Sequence, residues 1–187
     1  MRTKVQEEDR ENGGKIECDP KLRKIFINCE IRPQCLTEFQ LAFHTLELES
    51  EPITVYISSL GGCLFTSLGI YNLLKNSKCE IHTIVTSIAS SGAAIISLAG
   101  HKRSAYKNSM FFIHEPVDEI SGEFHKVKES YKGSKKYLDY LVNIFHSHTG
   151  KAKSSIRRDL LNNKWFMAEE ALNYGTKGFI DEIIDEE

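Results

Sequence analysis

Residues 53–85 leave few ways to fold. They read "ITVYIS", then "SLGG", then "LFTSLGIYNLLKN", then "IHTIV". The outer pieces are rich in β-branched and aromatic residues, as strands are. In the middle piece Leu64, Leu68, Tyr71 and Leu74 recur on one helical face. Strand, Gly-Gly turn, helix, strand is a βαβ unit, so its strands run parallel and its crossover is right-handed. "KIFINC" at 24–29 reads as a further strand, and a helix over roughly 36–49 joins it to 53–58 in the same manner. The expectation is an α/β chain built on repeated βαβ units with a mainly parallel sheet.

Downstream, "GAAIISLAG" (92–100) is apolar on every side, which predicts a buried helix ended by Gly100. "KRSAYKNSMFFIH" (102–114) predicts a short two-stranded hairpin turning at Lys107-Asn108-Ser109. Over 122–148, Phe124, Val127, Tyr131, Leu138, Leu141, Val142 and Phe145 recur at helical spacing. That length predicts a helix projecting from the domain, with an apolar stripe in need of a partner. "KSSIRRDLLNN" and "MAEEALNYG" predict two short helices, the second closed by Gly175. Residues 1–20 are polar and carry Gly13-Gly14, which predicts a mobile arm leading into one domain over 21–187.

A hydrophobic content of 41% fits a globular protein, and a net charge of −2 argues against a dedicated nucleic-acid binder. The opening "MRTKVQEEDRENGGK" lacks the apolar core of a signal peptide, and no stretch approaches the roughly 20 apolar residues of a membrane span. The five cysteines (Cys18, Cys29, Cys35, Cys63 and Cys79) are odd in number and form no C-x-x-C. Reduced thiols in a cytoplasm are expected, with neither a disulfide framework nor a zinc site. No cofactor is implied, and no G-x-x-x-x-G-K-[ST] nucleotide loop is present.

The chemistry concentrates around "SIASSGAAIISLAG" (87–100). Ser90 and Ser91 can simply cap the buried helix, since serine is a favoured N-cap. Alternatively, Ser91 presents a nucleophile beside the amide of Gly92, one of the unpaired, partly positive N–H groups of a helix start. Gly92 has no side chain to keep a substrate carbonyl away. Gly62, after the strand 53–58, can bring a second amide to the same sheet edge, and two donors make an oxyanion hole. A serine needs a base. Of seven histidines, His114 ends the apolar strand "MFFIH" and precedes Glu115-Pro116. That places it at a strand tip facing a cleft, or leaves it an ordinary hydrogen-bonded strand-end residue.

Four segments together resemble the ClpP family, the serine peptidases of the Clp proteases, whose fold is shared with the crotonases. They are "YISSLGGCLFTSLGIYNLL", "SIASSGAAIISLAG", "NSMFFIHEP" and "HTGKAKSSIRRDLLNNKWFMAEEALNYG", and the likeness runs from about residue 24 to 185. The resemblance implies a ClpP/crotonase-like fold with a handle over about 116–148, and an axial loop within residues 1–20. Counted back nine residues from Gly100, its nucleophile falls on Ser91, with Ser90 the runner-up. Gly62 and Gly92 then carry the oxyanion amides, and His114 is the base. The third member, an aspartate in the family, falls on Asn163. Asparagine can orient a histidine if its amide oxygen accepts the imidazole N–H, but it supplies no negative charge, and a flipped amide favours the wrong tautomer, a change that costs roughly 10⁴ in a trypsin-like triad. Asp159, four residues earlier, can share a helical face with Asn163 and lend charge, or simply meet solvent. Asn162 stands where the family has an arginine used between rings. Ser58-Ser59-Leu60-Gly61-Gly62 replaces Asn-Ser-Pro-Gly-Gly, and the hairpin before His114 is two residues shorter.

The resemblance further implies an endopeptidase, slow or conditionally active, that degrades unfolded polypeptide inside stacked seven-membered rings fed by a Clp-type AAA+ unfoldase. Residues 115–123 resemble the strand that lies beside bound peptide. Neither nucleic acid nor membrane is implied as a partner. Two alternatives stay open: a catalytically weak or inactive ring subunit, and a crotonase-type acyl-CoA enzyme on the same fold.

Overall fold

The architecture follows from how the long strand Ile81–Ser90 is shared; the computed structural model describes residues 14–117 and 121–185. In chain order the strands are β1 (Glu17–Asp19), β2 (Lys24–Ile27), β3 (Ile53–Ser59), β4 (Ile81–Ser90), β5 (Lys102–Tyr106), β6 (Met110–Ile113), β7 (Lys164–Met167) and β8 (Glu182–Ile184). The helices are α1 (Pro33–Leu46), α2 (Leu64–Lys75), α3 (Gly92–Ser97), α4 (Phe124–Thr149), α5 (Lys153–Leu161) and α6 (Ala168–Leu172). One eight-stranded sheet runs β1-β2-β3-β4-β5-β8, with β6 on β4 and β7 on β6. All pairings are parallel except β1 on β2 and β7 on β6. This is the mainly parallel α/β sheet that the βαβ pattern predicts.

The first two crossovers pack as their spacing requires. In α1, Pro33 starts the helix, where a missing N–H costs nothing, and Cys35, Phe39, Phe43 and Leu46 point into the core. In α2, Thr66, Ser67, Ile70, Tyr71 and Leu74 are buried. Along β3, Ile53, Val55, Ile57 and Ser59 alternate inward. Helix α3 is buried at every residue, as its composition predicts, but stops at Ser97 rather than running to Gly100.

The expected hairpin at 102–114 does not form. Strands β5 and β6 both run parallel to β4: Val85 pairs with Ala105, and Ile88 with Met110. The tight turn between them, with the Ser109 amide donating to the Tyr106 carbonyl at 2.9 Å, offsets the chain without reversing it. The buried Ser109 hydroxyl donates to the Val85 carbonyl at 2.9 Å, where the ladder passes from β5 to β6. A buried acceptor is thus satisfied across the break, which lets one strand serve two neighbours.

Strand β4 also extends beyond the expected 81–85, to Ser90. The short strands β1, β7 and β8 carry no sequence pattern that announces them. Of the expected arm, residues 1–13 lie outside the described residues, and Glu17–Asp19 pairs with β2. Helix α4 buries Leu141, Val142, Ile144, Phe145 and Thr149 in its last third and closes on Gly150, at φ 67°. Its first half is exposed at Phe124 and Tyr131.

Candidate active site

Strand β4 ends at Ser90, and the next residue turns sharply. Ser91 adopts φ 54° and ψ −117°, a backbone state rare for any residue but glycine. Its amide donates to the Phe112 carbonyl at 2.8 Å, which continues the β4–β6 ladder by one bond. Its hydroxyl makes no capping bond to α3. Instead Ser91 Oγ lies 2.8 Å from His114 Nε2, hydrogen-bonded to it. The cap reading of Ser91 therefore fails on geometry, since a favoured cap takes extended backbone and bonds the first turn. Ser90 pairs with Phe112 inside the sheet and is buried.

His114 follows the last residue of β6 and lies beside Ser91 because β6 is parallel to β4. Burial holds its imidazole below the ordinary histidine pKa, so the ring is neutral at neutral pH. It stacks on Phe112, with ring centres 5.1 Å apart and planes 19° apart.

The Gly-Gly turn meets the serine from the other side. A β-carbon on Gly61, at φ 87°, would stand 2.5 Å from the Ser90 carbonyl oxygen and 2.9 Å from both the Gly92 nitrogen and the Ser91 β-carbon. Only glycine permits this approach. The Gly62 nitrogen lies 3.8 Å from the position a β-carbon on Gly92 would take, so the two amides are neighbours. The turn is held from behind by Ile31, whose amide donates to the Gly61 carbonyl at 2.8 Å and whose carbonyl accepts from the Cys63 amide at 2.6 Å. Gly92 heads α3, so its amide has no acceptor within the helix. Together these groups open onto a cavity of about 560 Å³. Its far wall is Tyr137, Leu141 and Phe145 of α4, a contribution not visible in the sequence. Cys63 lines the same cavity, its thiol pKa lowered chiefly by the Thr66 hydroxyl.

Asn163 is brought near His114 but makes no hydrogen bond to it. Lys164 pairs with Ile113, so Asn163 and His114 are the next residues along the two antiparallel strands. Asn163 sits at φ 52° and is exposed, and no hydrogen bond joins its side chain to His114. Asp159 is engaged elsewhere: it accepts from the Tyr174 hydroxyl at 2.9 Å and pairs with Lys151 at 2.7 Å. It lends no charge to the imidazole. Of residues 115–123, 118–120 lie outside the described residues, and the others form no strand.

Among the described residues, no group of three or more His, Cys, Asp or Glu side chains is arranged to hold a metal. The five cysteines are free thiols. No helix among the described residues is long and apolar enough to cross a membrane.

A mainly parallel sheet carrying a strained serine turn at its edge defines an α/β protein of the ClpP fold class. Residues 19–187 match the family model for Clp protease, and the chain belongs to that family. It is 31% identical over 170 residues to the ATP-dependent Clp protease proteolytic subunit 1 of Salinibacter ruber, covering 89% of this chain and 72% of that one. It is 30% identical over 170 residues to the ATP-dependent Clp protease proteolytic subunit of Deinococcus radiodurans, covering 89% and 82%. With the proteolytic subunit 2 of Frankia casuarinae it shares 32% over 168 residues, covering 88% and 76%.

Proposed function

We propose that the chain is a serine endopeptidase subunit in which Ser91 is the nucleophile, His114 the base, Asn163 the third member, and the Gly62 and Gly92 amides the oxyanion donors. The observation that carries this reading is the 2.8 Å bond from Ser91 to a neutral histidine, on a serine whose hydroxyl caps nothing. Ser91 Oγ attacks the scissile carbonyl and gives its proton to His114 Nε2. The carbonyl oxygen takes the negative charge between the two glycine amides. The imidazolium returns the proton to the leaving amine, and water then releases the acyl-enzyme by the reverse steps. The cavity accepts an apolar side chain beside the scissile bond, against Tyr137, Leu141 and Phe145.

The relatives are named proteolytic subunits of ATP-dependent proteases, and this sequence carries no nucleotide loop. That supports a subunit whose ATP is used by a partner, a Clp-type AAA+ unfoldase delivering unfolded polypeptide. The exposed Phe124 and Tyr131 on α4, seven residues apart, support burial of the handle against a second copy; stacked heptameric rings in the cytoplasm are the assembly and location this reading proposes.

The test is labelling with a fluorophosphonate, together with hydrolysis of a short peptide. Label and hydrolysis are expected for the wild type and for S90A, and neither for S91A. A wild-type chain that takes no label reverts to the inactive-subunit reading. Turnover of an acyl-CoA in place of peptide would favour the crotonase alternative.

A further inference from the structure

A serine–histidine pair works only while the imidazole keeps its plane. The Nε2 edge of His114 is tied to Ser91, but no hydrogen bond reaches its Nδ1 edge among the described residues. Rotation about the last torsion of a histidine is broad and weakly restrained by itself. What remains is the ring's face, and that face lies on Phe112. The two residues are two positions apart on one strand line, so their side chains share a side of the sheet. Phe112 in turn stacks on Trp165, with ring centres 4.3 Å apart and planes 30° apart. Trp165 is its direct partner across the β6–β7 ladder. Trp165 is 53% exposed and does not line the cavity. Among the described residues its ring contact is Phe112, so the stack accounts for where this exposed ring lies.

We propose that Trp165 and Phe112 are positioning residues for His114, an aromatic relay that holds the ring plane where no hydrogen bond from Asn163 does so in this structure. The proposal rests on the reading of His114 as base. Trp165 pins Phe112, and Phe112 pins the imidazole plane with Nε2 aimed at Ser91. The flat contact also serves the charged state. When the proton passes from Ser91 Oγ to Nε2, the cation formed lies against an electron-rich ring face.

The experiment is steady-state hydrolysis of a short peptide by W165L, W165F, F112L, F112Y and the W165L/F112L double variant, beside wild type and S91A. W165L is expected to lower kcat about fivefold at unchanged KM, the size of one aromatic pair. W165F restores kcat to within about twofold. F112L lowers kcat further, and adding W165L to it costs nothing more, because both act through one stack. A W165L chain with wild-type kcat, a loss carried by KM, or a fully additive double variant overturns the relay. Should W165L fold poorly, F112Y and F112L decide: kcat kept in the first and lost in the second supports the relay, and equal kcat overturns it. Active wild type, inactive S91A and unimpaired W165L sink the relay alone; an active S91A chain sinks the serine reading as well.

Discussion

Ser91 and Asn163 both hold a positive φ, 54° and 52°. Each sits at the junction of a strand with a helical segment: Ser91 between β4 and α3, Asn163 between α5 and β7. Strain of this kind costs on the order of 1–3 kcal/mol per residue and persists only where the surroundings enforce it.

The first prediction follows from that cost. Ser91→Gly relieves the strain and is expected to stabilise the fold by about 1 kcal/mol, raising Tm by about 2–4 °C. The same variant loses all peptide hydrolysis. Ser91→Ala loses hydrolysis too, without the gain in Tm. Thermal unfolding of the three proteins is the measurement, and equal Tm for S91G and S91A would remove strain from the account.

The second concerns charge. In Asn163→Asp, a carboxylate beside His114 favours the imidazolium and raises its pKa. The expected result is a rise in kcat/KM of at least about tenfold, with the acid limb of the pH profile moved to higher pH. An unchanged or lower rate would mean that the missing charge does not limit this site.

The third is the wild-type pH profile. His114 is held below the ordinary histidine value of about 6.5 by burial, and only its neutral form can accept the serine proton. The midpoint of the acid limb is therefore expected below pH 6.5. A midpoint above about 7 would contradict a desolvated, unpaired imidazole.

The fourth tests the Gly-Gly turn. A methyl group on Gly61 collides with the Ser90 carbonyl and crowds Gly92 and Ser91. Gly61→Ala is expected to cost about 10²–10³ in kcat/KM, the range for losing one oxyanion donor. Circular dichroism and oligomer size are to be measured beside the rate, and full activity with the fold intact would displace the turn from the site.

The fifth is a stability effect remote from the reaction. His148 accepts or donates a 2.8 Å hydrogen bond with the Tyr71 hydroxyl, and burial, then Lys75, Arg103 and Lys177, push its pKa down to about 4. Between pH 6.5 and 4 the unfolded chain holds a proton here that the folded chain does not. Stability is therefore expected to fall with pH across that window. In His148→Gln this part of the slope disappears, as denaturant titration at pH 7, 5.5 and 4.5 can show.

How far the sequence reached depended on whether a pattern was local. The βαβ unit over 53–85 was readable because Ile53, Val55 and Ile57 alternate, and Leu64 to Leu74 recur at helical spacing. Strand β7 was not, since "KWFM" is four residues with no alternation of its own, held in place by pairing with β6. The hairpin expectation failed for a related reason. Lys107-Asn108-Ser109 is good turn chemistry, but whether a turn reverses the chain is decided by what its flanks pair with, and here both flanks pair with β4. At the site, Ser91, His114 and the glycines stood out by residue type and spacing. Trp165 and the α4 wall did not, because an aromatic residue reads as core until a neighbouring ring gives it another role.

Strand β4 gives its first half to β5 and only Ile88, Ala89 and Ser90 to β6, with Ser91 and His114 just past the end of that brief pairing. Hydroxyl and imidazole are thus fastened to one short seam. Peeling β6 back by three rungs would part them, but it would also carry β7 away and uncover Phe111 and Ile113, so the core that keeps this seam closed is what keeps the pair in register.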